Sequence, residues 1–390
     1  MRKKLKICYI TGTRAEYGLM KHTFAAMSAY FDLRLLVCGM HLEKEFGCTV
    51  REIEKDGFNI ISKIKTLSFN DTGAGMAKTF GLSVQKFVDA LTANRPDILL
   101  LLGDRGESFA GAIVAAHMNI PMIHISGGDQ GDDGASVDDS IRHSITKFAH
   151  LHCVNTKQSA ERVIKMGEEK WRVHIVGSPS LVQIKKEKLY SKVYLEKKYN
   201  LSLKNNFIVA IQHSVVTQQQ NAAHQMKETL EALKSLNLQT ILIYPNADAG
   251  GRRMINVIKQ YEKCDFLYTY QSLPRVDYLS FLKHSGVFVG NSSSGTIDTP
   301  VLKVPVVNVG IRESTREHAN NKIFVGHNMI EIKKAIEKAL YDKKFISQVK
   351  KCKNPYGNGD ADKKIISVIK KFFPLSEKQK QKLLVKRLWY

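Results

Sequence analysis

The stretch DILLLLGDRGE, residues 97–107, decides the fold class of this chain. Its apolar centre shows no alternation, which is typical of a central parallel strand covered on both faces. A glycine and two charged residues follow at the point where the strand would end. Ligands of open α/β sheets collect at the carboxyl ends of strands. Asp104 and Arg105 are therefore candidate site residues, with helix N-capping by Asp104 as the alternative interpretation.

Apolar runs of the same kind alternate with helical patterns on both sides of this stretch. In the first half they cover residues 5–10, 33–39, 120–126, 151–155 and 173–179. In the second half they cover residues 207–213, 240–245, 286–291 and 304–310. Strands that alternate with helices predict doubly wound parallel sheets, an α/β fold. The sequence after the first strand lacks the GxGxxG pattern of dinucleotide-binding folds, so NAD is not expected.

The length of 390 residues and a lysine-rich connection beyond residue 180 indicate two domains. We expect a Rossmann-like domain over residues 1–178 and a nucleotide-binding Rossmann-like domain over residues 179–360. Facing one another across a cleft, they would form the arrangement called GT-B. A helix within residues 361–390 is expected to pack back on the first domain.

The composition restricts the partners of the chain. The net charge is +22, but the lysines lie in helix-like stretches without the interleaved aromatic residues that stack on bases. No nucleic-acid partner is therefore predicted. No apolar run reaches the ~20 residues of a membrane helix, and the short run after the basic start does not suit a signal peptide. We expect no membrane partner and a cytoplasmic location. The six cysteines form no CxxC pair, so no metal site is expected from them.

Charged side chains follow the strands of the first domain. Arg14 lies on a glycine-containing turn after the first strand and suits a phosphate clamp, with an ordinary surface arginine as the alternative. The densest ionisable cluster comprises Asp129, Asp138, Asp139, Arg142 and His143. Carboxylates beside a histidine and an arginine can acquire different pKa values, as acid–base catalysis requires. A calcium site at Asp129, Asp132 and Asp133 is the alternative, although the loop lacks EF-hand spacing.

The second domain has its clearest signal in GNSSSG, residues 290–295. A strand followed by small polar residues and a helix start presents backbone N–H groups to an anion. The candidate phosphate ligands are Ser292, Ser293 and Gly295, with plain N-capping as the alternative. Asp298, just inside the helix, is a candidate for the ribose diol of a nucleotide.

Other polar residues follow the remaining strands of the second domain. His213 suits a phosphate contact or protonation of a leaving oxygen, and a structural histidine is the alternative. Asn246 follows the next strand in the same way. Arg312 and Arg316 come after the last apolar run and suit the charge of a diphosphate.

Taken together, these stretches resemble the UDP-N-acetylglucosamine 2-epimerase family, and most closely its hydrolysing branch. The resemblance runs over about residues 5–330 and includes GTRAEYG (12–18), LLGDR (101–105), GGD (127–129), DDSIRHSITKFAHLH (138–152), IQHSVVT (211–217), YPNADAG (244–250) and GNSSSG (290–295). Ala15 is also similar to the hydrolysing branch, since the non-hydrolysing branch tends to carry proline there.

The resemblance implies a reaction and a role for each candidate. UDP is eliminated across C1–C2 to give a 2-acetamidoglucal, and water then adds to release N-acetylmannosamine. The implied acid–base groups are Asp104, Asp129 and either Asp138 or Asp139, and His213 would stabilise the departing diphosphate. The other implied ligands are Arg14, Ser292, Ser293 and Arg316 for phosphate, Asp298 for ribose, and Arg142 and His143 for the sugar. The resemblance implies no cofactor and no metal. It does imply a homo-oligomer, either a dimer or a tetramer.

Three departures from the family pattern affect the identity of the sugar. Asp129 and Asp298 stand where glutamate is usual, Ser214 stands where proline is usual, and the loop of residues 130–137 is longer. Shorter carboxylates leave room for a bulkier sugar. The same chemistry on a 2,4-diacetamido-trideoxy sugar carried by UDP or GDP is therefore an alternative, as is the non-hydrolysing epimerase. From other classes, a GT-B glycosyltransferase or a non-catalytic sugar-nucleotide binder remains open.

Overall fold

The structure is a computed structural model and describes residues 4–44, 47–67, 73–130, 137–245 and 250–387. The described chain forms two compact units. The first contains the residues up to Asp129, those from 137 to Gln183, and those from Tyr356 onward. The second contains Ile184–Pro355 together with Gln130.

The first unit is built on a seven-stranded parallel sheet. Its strands are β1 (Lys6–Thr11), β2 (Asp32–Cys38), β3 (Asn59–Ile64), β4 (Ile98–Leu102), β5 (Met122–Ile125), β6 (Leu151–Val154) and β7 (Val173–Ile175). Their order across the sheet is β3-β2-β1-β4-β5-β6-β7. All five residues of β4 are buried, which fits its uninterrupted apolar sequence and its place beside β1 in the middle of the sheet.

The helices of the first unit cover both faces of this sheet. They are α1 (Arg14–Ser28), α2 (Val50–Lys55), α3 (Gly73–Ala93), α4 (Gly106–His117), α5 (Val137–Phe148), α6 (Lys157–Lys165), α16 (Ala361–Phe372) and α17 (Glu377–Leu384). Alternate residues of β1 enter different cores, as the two-residue period of a strand requires. Tyr9 belongs to the core that includes Ile365 and Ile369 of α16, whereas Ile10 belongs to the core on the other face. Helix α16 therefore completes the first unit, where it packs against α1.

The second unit repeats this topology with a six-stranded parallel sheet. Its strands are β8 (Ile208–Ile211), β9 (Thr240–Ile243), β10 (Leu267–Tyr270), β11 (Val287–Gly290), β12 (Val306–Val309) and β13 (Lys322–Val325). Their order is β10-β9-β8-β11-β12-β13. The helices are α8 (Lys192–Tyr199), α9 (Ala222–Leu236), α10 (Gly251–Tyr261), α11 (Arg275–His284), α12 (Ser294–Ile297), α13 (Thr299–Leu302), α14 (Met329–Tyr341) and α15 (Lys343–Lys351), and α7 (Ser180–Lys186) spans the boundary between the units.

The boundaries between the units fall at Gln183 and Tyr356, whereas the sequence suggests residues 178 and 360. The chain leaves and re-enters the first unit at neighbouring points, because the backbone N–H of Ser178 donates to the carbonyl of Tyr356 at 2.8 Å. Leu181 and Val182 at the start of α7 are fully buried.

Three strands were not expected from the sequence: β3, β10 and β13. Each lies at an edge of its sheet. An edge strand is partly exposed and carries polar residues, so it lacks the continuous apolar run that identified the central strands. Strand β3, with the sequence NIISKI, buries only its last residue, and every residue of β13 is at least partly exposed.

The longest described helix, α3, has 21 residues and includes charged Lys78, Lys86 and Asp89. Within the described ranges, no helix is both long enough and apolar enough to cross a membrane.

Gly290, which ends β11, predicts a strong effect of substitution. Its φ is +127°, and an added Cβ would lie 2.0 Å from the carbonyl oxygen of Ile211 on the neighbouring strand. Gly290→Ala should therefore lower the free energy of unfolding by more than about 1 kcal/mol, measured by urea titration. Gly81→Ala on α3 is the control, since nothing lies within 4 Å of its added Cβ, and it should be neutral or stabilising by up to about 1 kcal/mol. Equal stability of the two variants would show that β8 and β11 tolerate a side chain at position 290.

Candidate functional site

Both sheets have a point where the strand order reverses. In the first unit it lies between β1 and β4, and in the second between β8 and β11. Ligands of doubly wound sheets bind outside the carboxyl ends of the strands at such points. Gly12 and Asp104 follow the two strands in the first unit, and His213 and the 290–295 turn follow them in the second. The sequence candidates therefore lie where this topology favours a ligand.

Arg142 of α5 connects three parts of the first unit. Its guanidinium forms an ion pair with Asp104, which follows β4. The same group donates to the carbonyl oxygen of Ser126 at 3.1 Å, and its Nε lies 3.9 Å from Oδ1 of Asp139. The structure thus brings together Asp104, Asp139 and Arg142, which were predicted from separate motifs.

The hydrogen bonds continue from Ser126 to the buried carboxylate of Asp129. Ser126 Oγ donates to Oδ1 of Asn155 at 3.1 Å, and Nδ2 of Asn155 donates to Oδ2 of Asp129 at 2.8 Å. The other oxygen of Asp129 accepts from Ser159 Oγ at 2.6 Å. A continuous chain of polar contacts therefore runs from Asp104 through Arg142 to Asp129, and it holds the side chain of Asp129 in one orientation.

The remaining predicted residues of α5 lie on its first two turns. Asp138 is exposed, and Asp139 and His143 are partly buried. Nδ1 of His143 is buried and has no hydrogen-bond partner in the part of the chain that the structure describes. Burial lowers the pKa of His143, so its imidazole is neutral at pH 7. Asp132 and Asp133, the other members of the calcium alternative, lie outside the described residues.

The two predicted arginines after β1 and β4 differ in their surroundings. Arg14 is largely exposed and forms an ion pair with Glu52 of α2 at 3.0 Å. Arg105 is exposed to a smaller extent, with 44% of its side chain accessible, and its Nε lies 3.5 Å from a carboxylate oxygen of Glu107. Both guanidinium groups lie at the strand ends, where the sequence placed them.

Two buried glutamates at this switch point were not predicted from the sequence. Glu16 and Glu107 are each only 6% exposed. Oε2 of Glu16 accepts from the backbone N–H of Gly12 at 3.0 Å, while Oε1 has no partner within the described ranges. The carboxyl carbon of Glu107 lies 2.6 Å from where a Cβ on Gly12 would be. Gly12 therefore leaves space for Glu107, which explains a glycine at this turn.

Burial, and after it the charge of Glu107, raise the pKa of Glu16 to about 8. Glu16 therefore carries a proton at neutral pH. Both glutamates lie in the first turn of a helix that follows a strand, a position where acidic residues are common. This position was the only sequence signal for the two glutamates. Their proximity to each other could not be predicted, since it depends on β1 and β4 being neighbours in the sheet.

In the second unit, Asn291 fixes the turn that carries His213. Its Oδ1 accepts from the backbone N–H of His213 at 2.7 Å, and its Nδ2 donates to the carbonyl oxygen of His213 at 3.0 Å. Arg312 donates to the carbonyl oxygen of Asn291 at 3.1 Å. The ends of β8, β11 and β12 are thereby joined, and His213, the serine turn and Arg312 lie close together.

The serine turn leads into a helix of only four residues, α12. Ser292 and Ser293 are partly buried, and Ser293 makes no side-chain cap hydrogen bond. Gly295 packs closely on the sheet, because an added Cβ would lie 2.9 Å from the ring of Phe288. Close packing against β11 therefore explains why a glycine stands at position 295.

Asp298, the residue predicted to bind ribose, is buried and already bound by other side chains. Arg275 at the start of α11 donates to both of its oxygens, at 2.9 and 2.7 Å. Ser294 Oγ donates to the same carboxylate at 2.5 Å and is in turn bonded to the hydroxyl of Tyr278 at 2.6 Å. Arg275 was not predicted from the sequence, because it follows β10, a strand that the sequence did not reveal.

The last arginine, Arg316, pairs with the buried Glu313 at 3.0 Å. Glu313 also accepts from the hydroxyl of Thr296 at 2.8 Å and has a left-handed backbone with φ +69°. This loop therefore folds back on the end of α12. Asn246 lies outside the described residues.

The fold and the two polar clusters define an α/β protein with two doubly wound units, each with a candidate ligand site at its switch point. The model of the UDP-N-acetylglucosamine 2-epimerase family matches residues 25–370. The chain therefore belongs to this family, which is a family of enzymes.

Curated relatives agree with this assignment. The UDP-N,N'-diacetylbacillosamine 2-epimerase (hydrolyzing) of Legionella pneumophila is 35% identical over 367 residues, which cover 94% of this chain and 95% of the relative. The polysialic acid biosynthesis protein P7 of Escherichia coli is 35% identical and covers 96% of this chain and 95% of the relative.

Among solved structures, the UDP-GlcNAc 2-epimerase of Neisseria meningitidis bound to UDP-GlcNAc superposes with a TM-score of 0.80 at 15% identity. The match covers 94% of this chain and 100% of the Neisseria meningitidis chain. It confirms the predicted fold class, an α/β protein of the GT-B type with two parallel sheets.

The raised pKa of Glu16 predicts a pH dependence of stability. Because the folded state binds a proton that the unfolded state releases above a pKa near 4.5, stability should fall as the pH rises from about 5 to 8, by at most ~1.4 kcal/mol per pH unit. Glu16→Gln keeps a neutral side chain and should lose this fall. Urea unfolding of both proteins at several pH values measures it.

The control for this experiment is Glu52→Gln, which removes an exposed carboxylate of the same unit. It should retain the pH dependence of the wild type. Parallel profiles of the wild type and Glu16→Gln would show that Glu16 is already ionised at neutral pH.

Proposed function

We propose that this chain is a hydrolysing UDP-N-acetylglucosamine 2-epimerase, which releases UDP and N-acetylmannosamine. The observation that carries the proposal is the cluster of Asp104, Asp139 and Arg142 at the first switch point, in a chain that belongs to this family. Carboxylates held by a guanidinium beside the end of β4 provide fixed acceptors for a proton. The geometry therefore supports proton abstraction next to a carbon that bears a leaving group.

The reaction proceeds in two balanced steps. A carboxylate of the cluster takes the C2 proton, the C1–C2 double bond forms, and the C1–O bond breaks with its electron pair leaving on the β-phosphate. Water then supplies a hydroxyl to C1 and a proton is returned to C2 on the opposite face. We assign the proton transfers to Asp104 and Asp139, with Asp129 as the third carboxylate of the same hydrogen-bonded chain.

Stabilisation of the leaving diphosphate is assigned to the second unit. The backbone of His213 and the guanidinium of Arg312 are fixed by contacts with Asn291, beside the serine turn. Donors and positive charge held in place before the reaction stabilise developing negative charge without reorganisation. We assign Arg316, Ser292 and Ser293 to the same anion. Arg275 lies at the start of α11, where Asp298 orients its guanidinium. We assign it to contact with the nucleotide.

A second candidate substrate is UDP-N,N'-diacetylbacillosamine. The Legionella pneumophila relative bears this name at 35% identity over 94% of the chain, and Asp129, one methylene shorter than the glutamate usual in the family, favours a bulkier sugar. The chemistry would be the same for both sugars.

The substrate is tested by incubation with each sugar nucleotide in D2O, followed by NMR. Free N-acetylmannosamine with deuterium at C2, and one equivalent of UDP, is the expected result. Turnover of the diacetamido substrate alone would change the proposed sugar but leave the proposed reaction as it stands. UDP-N-acetylmannosamine as product would identify a non-hydrolysing epimerase, and no turnover of either substrate would refute the proposal.

Asp104→Asn tests the proposed base. Its loss as a proton acceptor should lower kcat by about 100-fold or more, while UDP binding measured by calorimetry stays within a few fold. Asp89→Asn on the exposed surface of α3 is the matched control and should retain full activity. Full activity of Asp104→Asn would remove this residue from the chemistry.

A further inference from the structure

The segment of residues 383–386, here called the tail segment, is anchored to the first unit by two positive charges, one buried and one partly buried. The first is Arg172, which is 1% exposed. Its guanidinium donates to the carbonyl oxygens of Leu383 and Val385, each at 2.8 Å, and pairs with Glu169 at 2.7 Å. The backbone of the tail segment is thus held directly, although it lies 211 residues from Arg172 along the chain.

The second positive charge is Lys386 of the tail segment itself. Its ammonium group donates to the carbonyl oxygens of Lys147 and Ala149, each at 2.7 Å, and to that of Thr146 at 3.3 Å. It also pairs with the buried Glu168 at 2.8 Å. Thr146 and Lys147 belong to the last turn of α5, and Ala149 directly follows the helix.

Lys386 therefore caps the carboxyl end of α5. The last carbonyl groups of a helix have no partner within the helix and carry partial negative charge. A cation supplied from elsewhere in the chain satisfies them and favours one position of the helix end. Helix α5 has 12 residues, and its first two turns carry Asp139, Arg142 and His143.

We propose that Lys386 is a positioning residue for the reaction, which fixes α5 from its carboxyl end and so holds Asp139 and Arg142 in place at the other end. The assignment of these two residues to the reaction rests on the proposed function. The packing of α5 leaves a role for such an anchor, because only Ile145 and Thr146 of this helix are fully buried and Ile141 packs on the core while partly exposed. A helix with so little buried apolar surface can tilt on the sheet, and a displacement of about 1 Å at a catalytic group can cost about 100-fold in rate.

The charge of Lys386 depends on the groups around it. Burial lowers its pKa to about 8, against the opposing effect of Glu168. The other charged or titratable groups that face it are Lys147 of α5, Arg172, and His150 and His152 around β6. Burial lowers the pKa of His150 to about 3 and that of His152 to about 4, so both are neutral above pH 7. Lys386 therefore loses its charge as the pH rises above 8.

Lys386→Met tests the proposal, because it removes the charge and keeps the length of the side chain. With the sugar nucleotide that the wild type turns over, kcat should fall about tenfold or more, with KM unchanged within about twofold. Lys382→Met, an exposed lysine of α17, is the matched control and should behave as the wild type. Lys386→Arg keeps the charge at high pH, so its kcat should decline less between pH 8 and 9 than that of the wild type.

Hydrogen exchange measured by mass spectrometry tests the same contact without any substrate. Peptides that cover 137–148 should exchange faster in Lys386→Met than in Lys382→Met, while peptides of α1 are unchanged. Unaltered exchange in α5 would overturn the proposal, as would a folded Lys386→Met protein with wild-type kcat. Inactivity of the wild type itself would instead refute the proposed function, and the exchange result would still decide whether Lys386 fixes the helix.

Discussion

The ion pair between Arg142 and Asp104 is the interaction on which the site of the first unit depends. It joins the end of β4 to α5, and through Ser126 it reaches the end of β5. Two partly buried charges of opposite sign are costly to separate, because the partner that remains would be left uncompensated. The ion pair therefore fixes the first turns of α5, and with them Asp139 and His143, in addition to the apolar packing of Ile141 and Ile145.

The second unit uses a different device at the equivalent point of its sheet. Asn291, a neutral side chain, holds the backbone of His213 by two hydrogen bonds. The ion pair of Arg275 with Asp298 belongs to the same unit but does not involve this turn. A neutral amide fixes the turn without adding negative charge to it. In the proposed function, carboxylates of the first unit transfer protons and donors of the second unit stabilise the diphosphate.

The sequence was sufficient for the central strands and for residues that follow them, since both depend on local pattern. Strand β4 is an uninterrupted apolar run, and Asp104 comes directly after it. The edge strands β3, β10 and β13 lack such a run and were missed. The pair of Glu16 and Glu107 could not be predicted, because their contact depends on β1 and β4 being neighbours. The anchoring of α5 by Lys386 depends on tertiary structure in the same way, with a separation of 237 residues between Lys386 and Ala149.

Helix α5 illustrates why a site helix needs anchors at both ends. A helix buried on one wide apolar face is fixed by that face, but its polar residues are then few. In α5, four ionisable groups occupy the first two turns, and a helix that presents so many polar groups to a ligand cannot also bury a wide apolar stripe. Its position therefore also depends on polar contacts: those of Arg142 in its second turn, and those of Lys147 and Lys386 at its end, where both lysines meet the carboxylate of Glu168. The buried cluster around Glu168 lies outside the switch point, and in the role that we propose for Lys386 it determines how accurately the proposed acid–base groups there are placed.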